Sequence, residues 1–383
     1  MDMLLTEEHK IIRETIRRFA EEEIKPRAQE LDAKEEFSVE LTQKMAEMGL
    51  FGMTISPEYG GHGMDSLSYV IAMEEVSRFD GSQAATITAH NSIGIGPIYM
   101  FGSEEQKKHY LPKMCTGEML WGFGLTEPNA GSDSRATETT ATKTPDGGWE
   151  INGSKIFITN VSNPLAGGLT VQAVTGKLEN GNPELTCFLV GRDTPGLTIT
   201  PMHGKLMWRA SDTAEVHLDG VKVSEDAIVG EQGQGSQQMF AALDYGRLGI
   251  AAMALGHAQG AYDLALAYGK ERKQFGKPIA RHQAISFKLA DMATELDLAR
   301  TYLYTVAKLR DSGENYTKQA AMAKLFCTEM AGRVTDAAIQ IHGGYGLMRE
   351  YDVERLWRDQ RILQIGEGTS EVQRIVISRS IGC

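Results

Sequence analysis

The period of the apolar residues changes twice along this 383-residue chain, and that double change restricts the fold more than any single motif. From Thr6 to about Gly117 the spacing is helical: Ile12, Ile16, Phe19 and Ala20 recur at three or four residues with Glu and Arg on the opposite side. A second run, Val39 to Met48, ends at Gly49, and Pro57 with Tyr59-Gly60-Gly61-His62-Gly63 interrupts any continuation. Helices are predicted again over Leu67 to Phe79 and Ser92 to Phe101, followed by a short capped helix from Ser103 to His109. From Trp121 to about Gly230 the period falls to two. GWEINGSKIFITN reads as two strands joined at Asn152-Gly153, a dipeptide suited to the positive φ values of a tight hairpin. TCFLVG, LTITPM and TAEVHLDGVKV add further strands, so a mainly antiparallel sheet or small barrel is expected. After Gly233 the helical period returns in four long runs, Gln237 to Lys270, Ala280 to Leu309, Tyr316 to Ile341 and Asp352 to Ile377, which suit an antiparallel bundle. Gly249, Gly256 and Gly260 lie inside the first run. Each costs about 0.5–1 kcal/mol in a helix interior, which implies either compensating close packing or a break. The expected domains are 1–118, helical; 119–232, β; and 233–383, a helical bundle.

Composition removes several classes of function. A net charge of −12 and a pI near 5.3 argue against a broad nucleic-acid surface, though a local arginine cluster can still hold a phosphorylated ligand. Cys115, Cys187, Cys327 and Cys383 form no CxxC pair, so buried free thiols are expected rather than a zinc ribbon or a disulfide framework. The start, MDMLLTEEHK, lacks a secretory apolar stretch, and no later segment offers eighteen consecutive apolar residues. A cytoplasmic protein with no stable membrane insertion is the expectation.

Four motifs carry chemistry. In QIGEGTSEVQR, from Gln364 to Arg374, Glu367 stands between Gly366 and Gly368 at what reads as a helix start, where the missing side chains open its carboxylate to a ligand as a general base. The competing reading is a surface acid beside a cap formed by Thr369 or Ser370. The other three are LTEPNAGSD at Leu125 to Asp133, KIFITN at Lys155 to Asn160 and ERKQFG at Glu271 to Gly276. No GxGxxG follows an N-terminal strand, which disfavours a Rossmann dehydrogenase.

The order of regions and these motifs resemble the acyl-CoA dehydrogenase family over essentially the whole chain. The resemblance implies an N-terminal α-helical domain, a middle β-sheet or barrel domain and a C-terminal four-helix bundle. It also implies noncovalent FAD, no metal, and oxidation of an acyl-CoA thioester to its 2-enoyl-CoA. Glu367 occupies the family's usual base position within its EGT pattern, and burial there is expected to raise its pKa. A second family solution places the base immediately before the arginine of LDYGR, where this chain has Gly246 followed by Arg247. Leu125 and Thr126 resemble the segment meeting the isoalloxazine edge, and Phe157 and Thr159 the aromatic and hydroxyl beside the ring. Arg272 and Phe275 resemble residues that reach the FAD of a neighbouring subunit; Gln340, Gly343 and Gly344 resemble a second intersubunit contact. Thr369 and Glu371 match positions near the FAD diphosphate and ribose or adenosine. Ser132, Asp244 and Arg247 match positions touching the CoA pantetheine and nucleotide, with a helical ion pair as the competing reading of Asp244 and Arg247. His90, in AHNSIGIGP, resembles the end of the acyl pocket.

Substrate size rests on departures from the family pattern. Gly366 stands where short- and medium-chain members commonly have tyrosine, making room for a branched or cyclic α-substituent. Met207 replaces a common glycine, and Ala84 stands where a glutaryl-CoA dehydrogenase carries its carboxylate-binding arginine. A short, branched or cyclic acyl-CoA is expected first, then butyryl-CoA, then a substituted dicarboxyl or aromatic acyl-CoA. Electron-transfer flavoprotein and a homotetramer are the partners the resemblance implies. An acyl-CoA oxidase and a noncatalytic acyl-CoA binding protein are the alternatives.

Overall fold

The structure, a computed structural model, describes residues 4–383. Helix α1 (Glu7–Phe19) opens on a capping box in which Thr6 Oγ1 accepts from the His9 backbone N–H. It continues through a π turn (Ala20–Ile24) into α2 (Lys25–Lys34), where Pro26 is tolerated because it lies in the first turn. Helices α3 (Val39–Glu47) and α4 (Ser66–Ser77) follow, and all twelve residues of α4 are buried. The stretch expected as a helix from Ser92 is the second half of a longer rod: α5 (Gly81–Ala89), a π turn (His90–Gly94) and α6 (Ile95–Phe101). Helix α7 (Glu104–Cys115) closes the region.

The middle region is a seven-stranded sheet, β1 (Leu120–Gly124), β2 (Thr140–Lys143), β3 (Trp149–Thr159), β4 (Ala166–Lys177), β5 (Pro183–Gly191), β6 (Leu197–Pro201) and β7 (Thr213–Val223). Its order is β1-β4-β2-β3-β7-β6, with β5 also on β4; β4 runs parallel to β1 and β2, and the remaining pairs are antiparallel. The hairpin expected at Asn152-Gly153 does not form there. β3 passes straight through, shifting register against β7, and the turn lies earlier, where Thr144 N donates to Gly148 O (2.9 Å) and Gly147 takes φ 92°. Gly153 is needed for close approach instead: a Cβ on it would collide with Thr139 Oγ1.

The last region contains α8 (Gly235–Glu271), a two-residue ribbon of β8 (Lys273–Gln274) and β9 (Lys277–Pro278), α9 (Gln283–Asp311), α10 (Thr317–His342), α11 (Val353–Asp359) and α12 (Ser370–Ser380). Helix α8 runs unbroken through its glycines because α4 lies against them. A Cβ at Gly249 would stand 2.5 Å from Tyr69 Oη, one at Gly256 would overlap Ser77 Oγ and Glu74 O, and one at Gly260 would overlap Arg78 O. The core consequently crosses the sequence regions, joining Leu41, Tyr69 and Ile71 to Leu248, Leu255, Leu303 and Val334. The fourth helical run, expected as continuous from Asp352 to Ile377, is divided. After α11 and a 3₁₀ turn (Gln360–Gln364) the chain leaves helical geometry, with Glu367 at φ 51° and Gly368 at φ 91°; α12 restarts under Thr369, whose Oγ1 accepts from Val372 N at 3.2 Å. Cys115, Cys187 and Cys327 are buried free thiols and Cys383 is exposed. Among the described residues no helix is long and apolar enough to cross a membrane.

Candidate active site

Glu367 is presented by the interruption between α11 and α12. Its left-handed backbone turns the carboxylate toward α8, where Gly246 leaves the space: a Cβ on Gly246 would overlap Glu367 Oε2. That oxygen is buried and has no hydrogen-bond partner among the described residues. Burial raises the Glu367 carboxyl to about 7, against the opposing charges of Lys324 and Arg247. A carboxylate desolvated yet unpaired is a poor structural element and an effective proton acceptor near neutral pH. Thr369 does cap α12, but Glu367 is no surface acid.

The second group stands on the sheet. Leu125 and Thr126 are half-buried at the start of the loop after β1, and Thr126 O accepts from Ile156 N at 2.9 Å. β3 bulges between Lys155 and Ile158 against β7, Phe157 takes φ 62°, and its ring is 61% exposed although its neighbours Lys155 and Ile158 are buried. The bulge is what turns this aromatic face outward. Thr159, two residues on, is half-buried, and Asn160 Nδ2 donates to Thr86 O of α5 at 3.0 Å. Beneath the bulge lies a buried ion pair without an assigned role at the level of sequence: Lys155 Nζ to Glu127 Oε1, 2.6 Å, with Glu127 also accepting from Glu138 N (2.6 Å) and Thr139 N (3.1 Å). Burial works to raise the Glu127 pKa, but Lys155 and these donors override it and leave the carboxyl below its ordinary value. The pair bolts LTEPNAGSD to KIFITN. Glu127→Gln leaves the Lys155 ammonium buried and unpaired, so we expect a loss of about 3–5 kcal/mol in urea unfolding and a lowered flavin content after desalting. An unchanged midpoint would refute the bolt.

The third group lies at the far end of α8. Arg272, Gln274, His342, Gly343, Gly344 and Tyr345 line a cavity of about 710 Å³. Arg272 stacks over Tyr345 (5.6 Å), Phe275 is 93% exposed at the tip of the β8–β9 ribbon, Gln340 is exposed, and added Cβ atoms at Gly343 or Gly344 meet nothing within 4 Å. Thr369 and Glu371 belong instead with Glu367, and Ser132 is exposed on the loop after β1.

Two of the expected site residues are engaged within the protein. His90 is fully buried in the π turn, its Nε2 bonded to Met114 O (2.9 Å) and its Nδ1 accepting from Trp121 N (3.2 Å). With both ring nitrogens bonded to backbone and burial lowering its pKa to about 4, it is a neutral tie between α7 and β1. Arg247 is 3% exposed and bonds Asp244, which also accepts from Thr317 Oγ1 (2.6 Å), so the helical ion pair is the observed state. Lys324 was missed by sequence reasoning. Its signal was present, a lysine in the Ala320, Cys327, Ala331 stripe of α10, which is entirely buried.

The outward aromatic on the sheet fits the face of a planar ring, while at the other end of α8 an arginine over an open cavity and glycines that admit close backbone approach fit a pyrophosphate. The chain belongs to the acyl-CoA dehydrogenase family: the family's N-terminal domain matches residues 6–118, its middle domain 122–221 and its C-terminal domain 233–382. It is an oxidoreductase with FAD as cofactor. Among relatives it is similar to a probable acyl-CoA dehydrogenase, YngJ, of Bacillus subtilis (48% identical, 100% of both chains). Among solved structures it is similar to butyryl-CoA dehydrogenase of Megasphaera elsdenii (40% identical, 98% of both chains, TM-score 0.95) and to a chain in a structure of the electron transferring flavoprotein of Acidaminococcus fermentans (41%, 100% of both, TM-score 0.95). An acyl-CoA dehydrogenase of Bacillus anthracis complexed with FAD is also similar (35%, 98% of this chain and 68% of that one, TM-score 0.92).

Proposed function

We propose that this acyl-CoA dehydrogenase takes a short, branched or cyclic acyl thioester, removes its α-proton with Glu367 and passes the electrons to electron-transfer flavoprotein. The observation that carries the assignment is the buried, unpartnered Oε2 of Glu367 with its carboxyl raised to about 7. FAD supplies the hydride acceptor for the β-carbon. The chain's own part is to hold the base still, to place Phe157, Thr159, Leu125 and Thr126 beside the flavin ring, and to keep water from the carboxylate. The Glu367 backbone N–H is assigned to the thioester oxygen, where negative charge grows as the proton leaves.

Arg272, Phe275, Gln340, Gly343 and Gly344 are assigned to the FAD of a neighbouring copy in a homotetramer, in keeping with their exposure. Room for an α-branch is supported by Gly366, where an added Cβ meets nothing nearer than Ile362 O at 3.6 Å. The carrier assignment draws support from the similarity to a chain in an electron transferring flavoprotein structure.

The test is anaerobic mixing of the FAD-loaded protein with butyryl-, isobutyryl-, 2-methylbutyryl-, glutaryl-, benzylsuccinyl- and cyclohexanecarboxyl-CoA, following flavin absorbance and product mass. Fast bleaching with loss of two hydrogens by a branched or cyclic member is expected, and Gly366→Tyr should slow that member more than butyryl-CoA. Preference for butyryl-CoA in both proteins refutes the pocket assignment. Rapid oxygen consumption without the carrier would identify an oxidase, and no bleaching by any thioester refutes dehydrogenation of this substrate set.

A further inference from the structure

Lys324 is a long cation in the middle of a buried helix face, and the structure gives it a specific task. Its relative exposure is 0%, and it has no carboxylate at ion-pair distance among the described residues. Its one side-chain hydrogen bond there runs from Nζ to the carbonyl of Gly368, at 2.7 Å. An ammonium has three donors, and burying one against a neutral acceptor alone is unfavourable unless its charge is used nearby. Gly368 is the residue after Glu367, and both are left-handed. Gln373 Nε2 grips the same carbonyl from α12 at 2.8 Å and reaches Glu367 O at 3.4 Å. The turn that aims the carboxylate is therefore held from α10 and α12 together.

The charges around Glu367 are unequal. On α8, Arg247 also favours the ionised carboxylate but is paired with Asp244. On α12, Glu371 adds a negative charge at an exposed position, and on α4 and α8 the buried phenols of Tyr69 and Tyr245 are pushed up by burial and stay neutral. Lys324 is the cation beside the site that no carboxylate pairs among the described residues, itself lowered to about 8 by burial, with Glu367 and Glu371 opposing that shift.

We propose that Lys324 is a positioning residue that acts twice on Glu367, fixing the left-handed turn through the Gly368 carbonyl and supplying the positive charge that keeps a buried carboxylate ionised in the working pH range. This inference rests on Glu367 being the base. Without Lys324 the carboxylate must ionise against burial with only the Asp244-paired Arg247 for support, so its titration moves upward.

The experiment compares wild type with Lys324→Met, which removes both hydrogen bond and charge, and Lys324→Gln, which retains an amide donor without charge. Flavin bleaching by the best thioester is followed from pH 5.5 to 9. In wild type the rate should rise with pH through a midpoint near 7. Both variants should move that midpoint upward by at least about one unit, which costs about tenfold in rate at pH 6 and is largely recovered at pH 9. A uniform loss with an unchanged midpoint, or no loss at all, overturns the proposal, since a merely structural lysine has no reason to move the midpoint. Melting temperature provides a readout independent of turnover. A carboxyl raised in the folded state contributes most below its ordinary value near 4.5, and that contribution is lost as pH climbs through the folded value. The loss should extend to higher pH in Lys324→Gln and vanish when Glu367→Gln is added. If the melting data behave so while bleaching shows no Glu367 dependence, the base assignment fails and the coupling stands.

Discussion

Glu367→Gln should retain FAD and its assembly state but bleach roughly 10³- to 10⁴-fold more slowly with a substrate that reduces the wild-type flavin at once. Glutamine keeps the shape of the side chain and still fits the space beside Gly246, so the substitution removes only the ability to accept a proton. The pH dependence sharpens the expectation. Because burial raises the carboxyl to about 7, the wild-type rate should climb between about pH 6 and 8, and the residual rate of the variant should be flat there. Stopped-flow absorbance at matched flavin content is the measurement. A variant within tenfold of wild type would mean that another group takes the proton.

Gly246→Ala should cost about 100-fold in the same assay while leaving flavin content intact. The new methyl group would occupy the volume of Glu367 Oε2, so the carboxylate or the turn that bears it must move, and proton transfer tolerates displacement poorly. A compensating pair tests the same geometry in the opposite direction. Gly246→Glu with Glu367→Gly brings a carboxylate back to the site from α8 and leaves glycine at a position whose φ of 51° glycine adopts freely. The pair should bleach faster than Glu367→Gly alone. Equal rates would show that the two positions do not share a site.

The three regions were legible because apolar periodicity survives averaging over long segments, and the comparisons place the family's three domains in the same order. Single dipeptides were less reliable. Asn152-Gly153 carries the chemistry of a hairpin turn, yet its glycine serves an interstrand approach to Thr139, a contact no local window contains. The long run from Asp352 to Ile377 kept a helical period on both sides of Glu367, which concealed a break made by only two left-handed residues. At the site, Glu367 and the outward Phe157 could be anticipated from motifs. Their supports could not, because Lys155 with Glu127 and Lys324 with Gly368 join residues 28 and 44 positions apart. His90 shows the same limit, for nothing in its motif reveals that both ring nitrogens bond backbone of other elements.

Helix α8 also works as a ruler. It is unbroken from Gly235 to Glu271, with Gly246 facing the base and Arg272 at the C-terminal cap. Twenty-six residues from 246 to 272 at 1.5 Å each set the two about 39 Å apart. One flavin dinucleotide cannot place its ring at the first mark and its pyrophosphate at the second. In the reading proposed above, each polypeptide thus contributes to two different catalytic centres, and the centre rather than the chain is the unit of inheritance for damage. Mixed assemblies of an Arg272 variant with a Glu367 variant should then contain some centres burdened by both lesions and some by neither, so their activity would follow how copies pair instead of the average of the two parents.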